Sequence, residues 1–233
     1  MNTGMLRGPS LLLVCVLAGA LAAQSPHVVV APGVSHTWFS VIYQGSIYFQ
    51  VPIFQSPFQS AWYPNGKVVI DGTTLATARV VVHPGAWPVA LYGSGAVGHT
   101  EFRVSGSSAS GSFQYHTPAH VVALAVGVTA ARSLGGAGPR VEATTGFTSL
   151  RITSTPLAGG MGVPLQDFTS PGVETSVALA YPARSSRFAI EARGMFSAVH
   201  HHTAGLDGGF SPRGPSSNWA GNLGIGVGAQ VAF

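Results

Sequence analysis

The chain has 233 residues, of which 46% are hydrophobic and only 8% are charged, and its formal net charge is +4. The charged share is about a third of that of an ordinary soluble domain, which excludes a typical water-exposed surface but suits a protein whose outer face contacts lipid. The basic residues are scattered without a run, so we expect no nucleic-acid partner.

The first residues predict a signal peptide. Arg7 supplies a positive charge, residues 11–20 are apolar, and Ala-Leu-Ala ends at Ala22. This pattern directs export and is too short for a spanning helix. The one cysteine, Cys15, lies inside it, so we expect no disulfide or thiol chemistry in the mature chain. We predict a signal-peptide helix over 1–22, a short periplasmic segment over 23–35 and a barrel over 36–233.

Segments that alternate apolar and polar residues follow, as expected of strands. We predict eight of them, at about His36–Ile53, Thr73–Val82, Val89–Val104, His120–Arg132, Arg140–Ile152, Val173–Tyr181, Arg187–Val199 and Trp219–Phe233. The fifth changes parity near Ser149, where a bulge is expected. The boundaries of the first two are the least defined, because Pro52, Pro57 and the apolar residues 68–70 allow other limits.

The gaps between these segments alternate in length. Residues 83–88, 133–139 and 182–186 form short turns, whereas about 54–72, 105–119, 153–172 and 200–218 are long. This alternation is typical of the periplasmic turns and extracellular loops of an outer-membrane barrel.

The last segment has an apolar face that carries an aromatic residue at each end, Trp219 and Phe233, and a small or polar opposite face. Its fourteen steps of about 3.3 Å, tilted by about 40°, reach about 35 Å, which is enough to cross the apolar band. We therefore predict an aromatic girdle that includes Tyr181, Trp219 and Phe233. The run from Gly224 to Gly228 is expected to give room to neighbouring side chains rather than to bind a dinucleotide, because no helix follows it.

Together, the signal peptide, the eight alternating segments, the alternating gaps and the terminal Val231-Ala232-Phe233 resemble the small eight-stranded outer-membrane β-barrels, the group of the OmpA transmembrane domain, OmpX and OmpW. The resemblance implies an all-β, antiparallel, up-and-down transmembrane barrel in the outer membrane of a Gram-negative-type bacterium, reached by signal-peptide export. It implies that Val231 and Phe233 belong to the strand that the outer-membrane assembly machinery recognises. Outer-membrane lipid and lipopolysaccharide are the other partners it implies.

The predicted strand faces direct many charged residues into the lumen. These are Arg79, Glu101, Arg103, Arg140, Glu142, Glu174, Arg187, Glu191 and Arg193. The same assignment directs Phe39 on the first segment, and Tyr92, Ala96, Phe102 and Val104 on the third, toward lipid. An eight-stranded barrel is only just wide enough for its own side chains, and buried charges need partners. The charges therefore predict an ion-pair network that fills the lumen, with a gated path for ions or a small solute as the alternative.

The histidines and serines give little support to a metal site or an active site. His200-His201-His202 is interpreted as an exposed polar loop, with metal binding or proton sensing as the alternative, and His116 and His120 as rim residues. A lipid A deacylase on this fold would need His and Ser two residues apart on one strand face with an acid nearby, and residues 200–203 offer no such pair. We predict no catalytic residues, no metal and no cofactor.

The predicted loops contain the aromatic residues Trp62, Tyr63, Phe168 and Phe210. They are candidates for binding lipopolysaccharide, a surface or another protein, or they pack on one another at the barrel mouth. The sequence thus predicts a non-enzymatic outer-membrane barrel with a structural or surface-interaction role and an unknown extracellular ligand. A small-solute or ion channel is the first alternative, and a secreted soluble β-sandwich adhesin is the second.

Overall fold

The computed structural model describes residues 27–51, 59–84, 89–109, 111–134, 138–154, 168–182, 187–202, 210–213 and 217–233. The predicted signal peptide lies outside these residues. No helix within the described ranges is long and apolar enough to cross a membrane. The strands are β1 (His27–Trp38), β2 (Val41–Val51), β3 (Gln59–Ile70), β4 (Thr73–His83), β5 (Ala90–Ser108), β6 (Gly111–Ser133), β7 (Arg140–Ser154), β8 (Phe168–Pro182), β9 (Phe188–His202), β10 (Phe210–Arg213) and β11 (Ser217–Ala232).

Eight of these strands close a barrel. Their order is β5-β4-β1-β11-β9-β8-β7-β6, and β6 pairs back with β5. Every neighbouring pair is antiparallel. Closure gives each strand a partner on both sides, as a barrel in lipid requires. The prediction of an eight-stranded antiparallel barrel is confirmed.

Three of the barrel strands continue past a break into shorter strands at one end of the barrel. The order β10-β2-β3-β5 repeats the order β11-β1-β4-β5, and residues 39–40 and 71–72 separate β1 from β2 and β3 from β4. We call the end away from His27 and Phe233 the upper end. The extension is defined as β2, β3, β10 and residues 100–108 and 111–119 of β5 and β6; the belt is the closed barrel below it.

Two predicted boundaries near the start of the chain are wrong. The first strand begins at His27 rather than His36, and residues 27–35, expected to form a periplasmic segment, pair with β4 and β11. The run Val28-Val29-Val30 shows no alternation of apolar and polar residues, because the inward Val29 is apolar like its outward neighbours. Val29 is buried in a small cluster at the lower end, with Val81 and Tyr92. The predicted strand over 36–53 is divided between β1 and β2.

The predicted long loop over 105–119 is also wrong. β5 and β6 continue as a hairpin in which Ser108 pairs with Gly111. Gly111 has a φ of 147°, a conformation that favours glycine at this turn. The small polar residues of this stretch resemble a loop, but they cover the outer face of a paired hairpin whose inner face carries Phe102 and Val104.

The faces of the sheet change their chemistry from belt to extension. In the belt the exposed outward side chains are large and apolar, among them Val80, Val97, Leu124, Val126, Phe147, Val177, Ile190 and Val227. At the top of the belt and in the extension, the inward side chains are the apolar ones. These form an upper apolar cluster of Val68, Ile70, Leu75, Phe102, Val104, Ala119, Val121, Leu150, Ile152, Val199 and Ala220.

This change explains why the predicted faces of β5 are wrong. Tyr92, Phe102 and Val104 are buried inside, whereas Glu101 is exposed outside. The pairing of β5 with β6 runs from Ala90 to Ser108 without a register shift. The backbone alternation is therefore continuous, and it is the chemistry of the two faces that changes along the strand. The bulge expected near Ser149 is also wrong, because β7 pairs with both neighbouring strands without a register shift. The apparent change of parity arises because Leu150 and Ile152 point inward and belong to the upper apolar cluster.

Glycine pairs allow neighbouring strands to approach closely inside the barrel. Gly33 faces Gly228 across β1 and β11, and Gly127 faces Gly146 across β6 and β7. A Cβ on Gly127 would overlap the carbonyl oxygen of Thr145, and one on Gly33 would lie 2.6 Å from the carbonyl oxygen of Val227. Larger residues at these positions would push the strands apart and widen the barrel.

Candidate functional site

A network of charged side chains occupies the lower part of the lumen. Arg79 Nη2 lies 2.9 Å from Glu142 Oε2 and 2.7 Å from Glu191 Oε2. Arg193 Nη2 lies 3.2 Å from Glu191 Oε2, and Arg140 Nη2 lies 2.6 Å from Glu142 Oε1. Arg79 and both glutamates are more than nine-tenths buried. Each buried carboxylate thus has at least two cationic partners, as its desolvation requires.

Gln230 completes this network from β11. Its Nε2 donates to Glu142 Oε1 at 3.0 Å and to Glu191 Oε2 at 2.6 Å, and Arg140 Nη2 donates to its Oε1 at 2.6 Å. The amide therefore holds the two glutamates together from a third wall of the barrel. The network joins β4, β7, β9 and β11 through side chains alone.

A second set of polar contacts lies beside the network. The Tyr92 hydroxyl donates to Glu174 Oε1 at 3.0 Å, and Arg193 Nη1 donates to Ser176 Oγ at 2.6 Å. Ser176 is also hydrogen-bonded to Thr144. Inward positions on β5, β7, β8 and β9 bring these groups together.

Six of the nine predicted lumen charges lie inside the barrel: Arg79, Arg140, Glu142, Glu174, Glu191 and Arg193. The other three lie outside it, and their prediction was wrong. Glu101 and Arg103 face outward on the extension, because β5 has the opposite parity to the one expected, and Arg187 is exposed in the turn before β9.

Two lumen residues were missed from sequence. Gln230 lies on the face predicted to point inward, but an uncharged amide gave no signal of ion pairing. Tyr92 was assigned to lipid together with the rest of its face. A count of polar residues on every inward face would have identified Gln230.

A cavity of about 130 Å³ separates the charge network from the upper apolar cluster. Arg79, Glu191 and Arg193 form its floor, and Leu75, Leu150 and Phe39 lie at its upper end. The prediction that Phe39 faces lipid is wrong, since it packs against the upper apolar cluster. One water needs at least ~10–15 Å³ of such space, so the cavity has room for several.

Buried polar atoms line this cavity. Arg79 Nε and Nη1 and Ser35 Oγ have no hydrogen-bond partner among the described residues, and both residues border the cavity. An unpaired buried donor is costly. Solvent within the cavity is a suitable partner for them.

The upper apolar cluster lies above the cavity, and its largest members are essentially inaccessible. A buried polar pair lies at the same upper end, where Ser170 Oγ is 2.6 Å from His201 Nδ1 and the two residues are 0% and 1% exposed. The prediction of a histidine loop is wrong, because residues 200–202 continue β9. His201 points inward, and His200 points outward with its ring 5.2 Å from that of Trp219.

Histidines and aromatic residues ring the outer face at the upper edge of the belt. His99 and His120 have ring centroids 4.4 Å apart, and the ring of His36 lies 4.6 Å from that of Trp38. Of the predicted girdle residues, Trp219 is exposed at this edge, whereas Tyr181 and Phe233 are exposed at the lower edge. Such rings are common where a barrel meets the membrane interfaces.

The remaining predicted residues lie at the two ends of the barrel. Val231 pairs with Val30 and Phe188, and the Phe233 amide donates to the Val28 carbonyl at 2.9 Å. Their part in assembly stays a prediction. The backbones of Trp62, Tyr63, Phe168 and Phe210 lie in β3, β8 and β10 rather than in loops. Their side chains lie outside the described part of the structure, so their binding role also stays a prediction.

Comparison with known proteins yields similar folds but no sequence relatives. No protein-family model and no curated protein sequence matches the chain. Among solved structures, the attachment invasion locus protein Ail of Yersinia pestis, in complex with the heparin analogue sucrose octasulfate, is 8% identical over 90% of this chain and 100% of that one, with a TM-score of 0.46. Neisserial surface protein A is 9% identical over 90% and 100%, with a TM-score of 0.48. The outer membrane protease OmpT of Escherichia coli is 9% identical over 89% and 96%, with a TM-score of 0.35.

At these scores, the assignment of the fold rests on the strand pairing of the chain itself. Eight antiparallel strands close in sequence order, the outer face of the belt is apolar, and a network of buried ion pairs lies in its lumen. By these features the chain folds as a small closed β-barrel of eight antiparallel strands.

Proposed function

We propose that the chain is a non-enzymatic outer-membrane protein whose barrel anchors the extension at the cell surface, where the extension has a structural or surface-interaction role. The extension carries the observation that supports this best: among its described side chains, the inward Ile70, Phe102 and Val104 are apolar and buried, and the outward Lys67, Glu101 and Gln114 are polar and exposed. It is therefore built to stand in water above a lipid-embedded belt. In this orientation the short turns after β4, β6 and β8 face the periplasm.

The interior of the barrel supports an anchor more than a pore. Two different plugs occupy the described lumen, the charge network below and the upper apolar cluster above. The apolar plug is close-packed, with Phe102 and Ile152 almost fully buried. An ion that crossed it would have to lose its hydration without finding polar partners.

The absence of enzymatic activity is part of the proposal. The Ser170–His201 pair is the arrangement in the described residues nearest to a hydrolase dyad. Both side chains are buried in the upper interior, where a lipid or peptide substrate does not reach them. A hydrogen bond between buried Ser and His side chains is also an ordinary way to satisfy two polar groups.

The test measures the cellular location of the protein and which of its residues face the outside of the cell. Cells that produce the chain are fractionated by sucrose gradient, and the folded protein is run on a gel with and without boiling. We expect it in the outer-membrane fraction with a boiling-dependent mobility. A cysteine in place of Ser105, on the outer face of the extension, should react with a membrane-impermeant maleimide in intact cells, whereas one in place of Arg187 should react only after lysis. Recovery in the inner membrane or the medium, or the reverse labelling, would contradict the proposal.

The channel alternative has one observation in its favour, the cavity between the two plugs. It predicts conductance in planar bilayers that is lost when Arg193 or Glu191 is changed to Ala. A closed anchor predicts no conductance in the wild type. The adhesin alternative required two packed sheets in water, and the single closed sheet with an apolar outer belt does not support it.

A further inference from the structure

A polar cluster on the outer face of the extension combines the side chains of Asp71, Glu101 and His116. Each offers one ligand atom, and the three atoms lie within 4.8 Å of one another. His116 Nδ1 is 3.3 Å from Glu101 Oε2. The three side chains are 31%, 60% and 44% exposed, so an ion can reach them from solvent.

Backbone and side-chain contacts hold Asp71 against β5. Asp71 lies in the break between β3 and β4, and its amide donates to the Glu101 carbonyl at 2.9 Å. Thr100 Oγ1 donates to the Asp71 carbonyl at 2.7 Å, and Arg103 Nη2 donates to Asp71 Oδ2 at 2.6 Å. The carboxylate of Asp71 thus keeps a second oxygen, Oδ1, for another partner.

We propose that Asp71, Glu101 and His116 form a binding site for a borderline divalent cation such as Zn²⁺. Tetrahedral Zn²⁺ with bonds of about 2.0–2.2 Å places neighbouring ligand atoms about 3.3–3.6 Å apart. His116 Nδ1 and Glu101 Oε2 already have that separation, and a rotation of the Asp71 side chain supplies the third ligand. One imidazole with two carboxylates favours Zn²⁺ over Ca²⁺ or Mg²⁺, which prefer oxygen ligands alone.

Gln114 provides the outer contact that such a histidine needs. Its amide nitrogen, Nε2, lies 3.0 Å from His116 Nε2, and a flip of the amide would place its oxygen there. With the amide oxygen turned toward the ring, Nε2–H donates to it and Nδ1 keeps its lone pair for the metal, the usual arrangement of a ligating histidine. The fourth position faces solvent and takes a water. Bound metal ties the break at residues 71–72 to β5 and β6, which stabilises the base of the extension.

The experiment uses the chain from residue 23 onward, folded into detergent micelles, with Co²⁺ as a spectroscopic probe and Zn²⁺ as the competitor. We expect one high-affinity ion per chain, with the visible absorption of tetrahedral Co²⁺, displaced by Zn²⁺. His116→Ala and Glu101→Gln should each weaken Zn²⁺ binding at least tenfold. His120→Ala is the matched control, since it removes a neighbouring outward histidine of the same strand, and it should change the affinity less than twofold.

Three outcomes would overturn the proposal: no binding at millimolar Zn²⁺, unchanged affinity in His116→Ala, or loss of binding in His120→Ala or His200→Ala instead. The last would assign the ion to another histidine. Each variant is first checked for the boiling-dependent mobility of the folded barrel. Should His116→Ala fail to fold, His116→Gln replaces it, because it keeps a polar side chain of similar length but removes the imidazole ligand.

Discussion

The belt and the extension use the same alternating strands with opposite faces. On β5, Val97 in the belt is exposed on the outside, and five residues later Phe102 in the extension is buried on the inside. The backbone does not slip between them, since β5 pairs regularly with β6 throughout. The proposed placement in a membrane accounts for this difference: lipid outside the belt selects apolar residues there, and water outside the extension selects them inside.

The two interiors differ for the same reason. In the belt, large apolar residues are used on the lipid face, and the lumen is filled by buried ion pairs such as Arg79–Glu142. At the top of the belt and in the extension, apolar side chains fill the interior, as they do in the core of a soluble domain. One barrel thus contains a polar core and an apolar core in series, with the cavity between them.

The largest expected effect comes from breaking the polar core. Glu142→Ala leaves Arg79 and Arg193 with Glu191 as their remaining carboxylate and Arg140 with Gln230 alone, and removal of one partner of a buried ion pair costs about 3–5 kcal/mol. We expect a loss of this size in the free energy of unfolding, measured by urea titration from lipid vesicles with tryptophan fluorescence. Glu101→Ala, in chelator-treated buffer, is the control, because this exposed carboxylate should change stability by less than about 0.5 kcal/mol. Equal losses in the two variants would mean that the network does not stabilise the belt.

A loss of similar size in the free energy of unfolding is expected when the upper apolar cluster is disrupted. Phe102→Ala should lower the free energy of unfolding by about 3–5 kcal/mol, because it loses the transfer energy of the ring and also leaves a cavity. The comparison is Phe147→Ala, on the lipid face and 73% exposed. There lipid chains fill the space, so only the transfer energy of about 2 kcal/mol is lost. The same urea titration measures both, and equal values would show that the upper interior is not close-packed.

The change in the chemistry of the outer face is tested by introducing an arginine at two positions of β6, one in the belt and one in the extension. Val126→Arg puts a cation on the lipid face near the middle of the belt, which should cost about 2–4 kcal/mol. Gln114→Arg, measured in chelator-treated buffer because Gln114 contacts the proposed metal ligand His116, puts the same cation on the outer face of the extension, where water solvates it and the cost should be close to zero. Unfolding free energies in vesicles of one lipid composition compare them. If Gln114→Arg is as costly as Val126→Arg, the extension is not in water.

Sequence alone predicts most of the belt, with β5 as the exception, because outward residues that stay apolar give a simple alternation along a strand. The alternation of β6 at Leu124 and Val126 follows from a lipid face that stays apolar, and so does that of β11. The rule fails above the belt, where the same reasoning assigned Phe102 to lipid and Glu101 to the lumen. It also fails at Val29, which is apolar although it faces inward.

The partners within the lumen could not be predicted for a different reason. Arg79 and Glu142 are far apart in the chain, and parity says only that each points inward. Which inward residues meet depends on the stagger of the strands and on the width of the barrel. A neutral residue such as Gln230 is found only when that geometry is known.

The smallest expected effect concerns the contact beside the polar core. Tyr92→Phe removes the hydroxyl that donates to Glu174 Oε1 at 3.0 Å, and we expect a loss of about 1–2 kcal/mol in the free energy of unfolding. The ring itself should stay in place, because Gly127 and Gly146 leave it room. Tyr181→Phe, at the exposed lower girdle, is the control and should have little effect. A loss near zero for Tyr92→Phe would instead mean that solvent in the adjacent cavity replaces the hydroxyl, so that the boundary between the two cores is wet and the polar core does not depend on this contact.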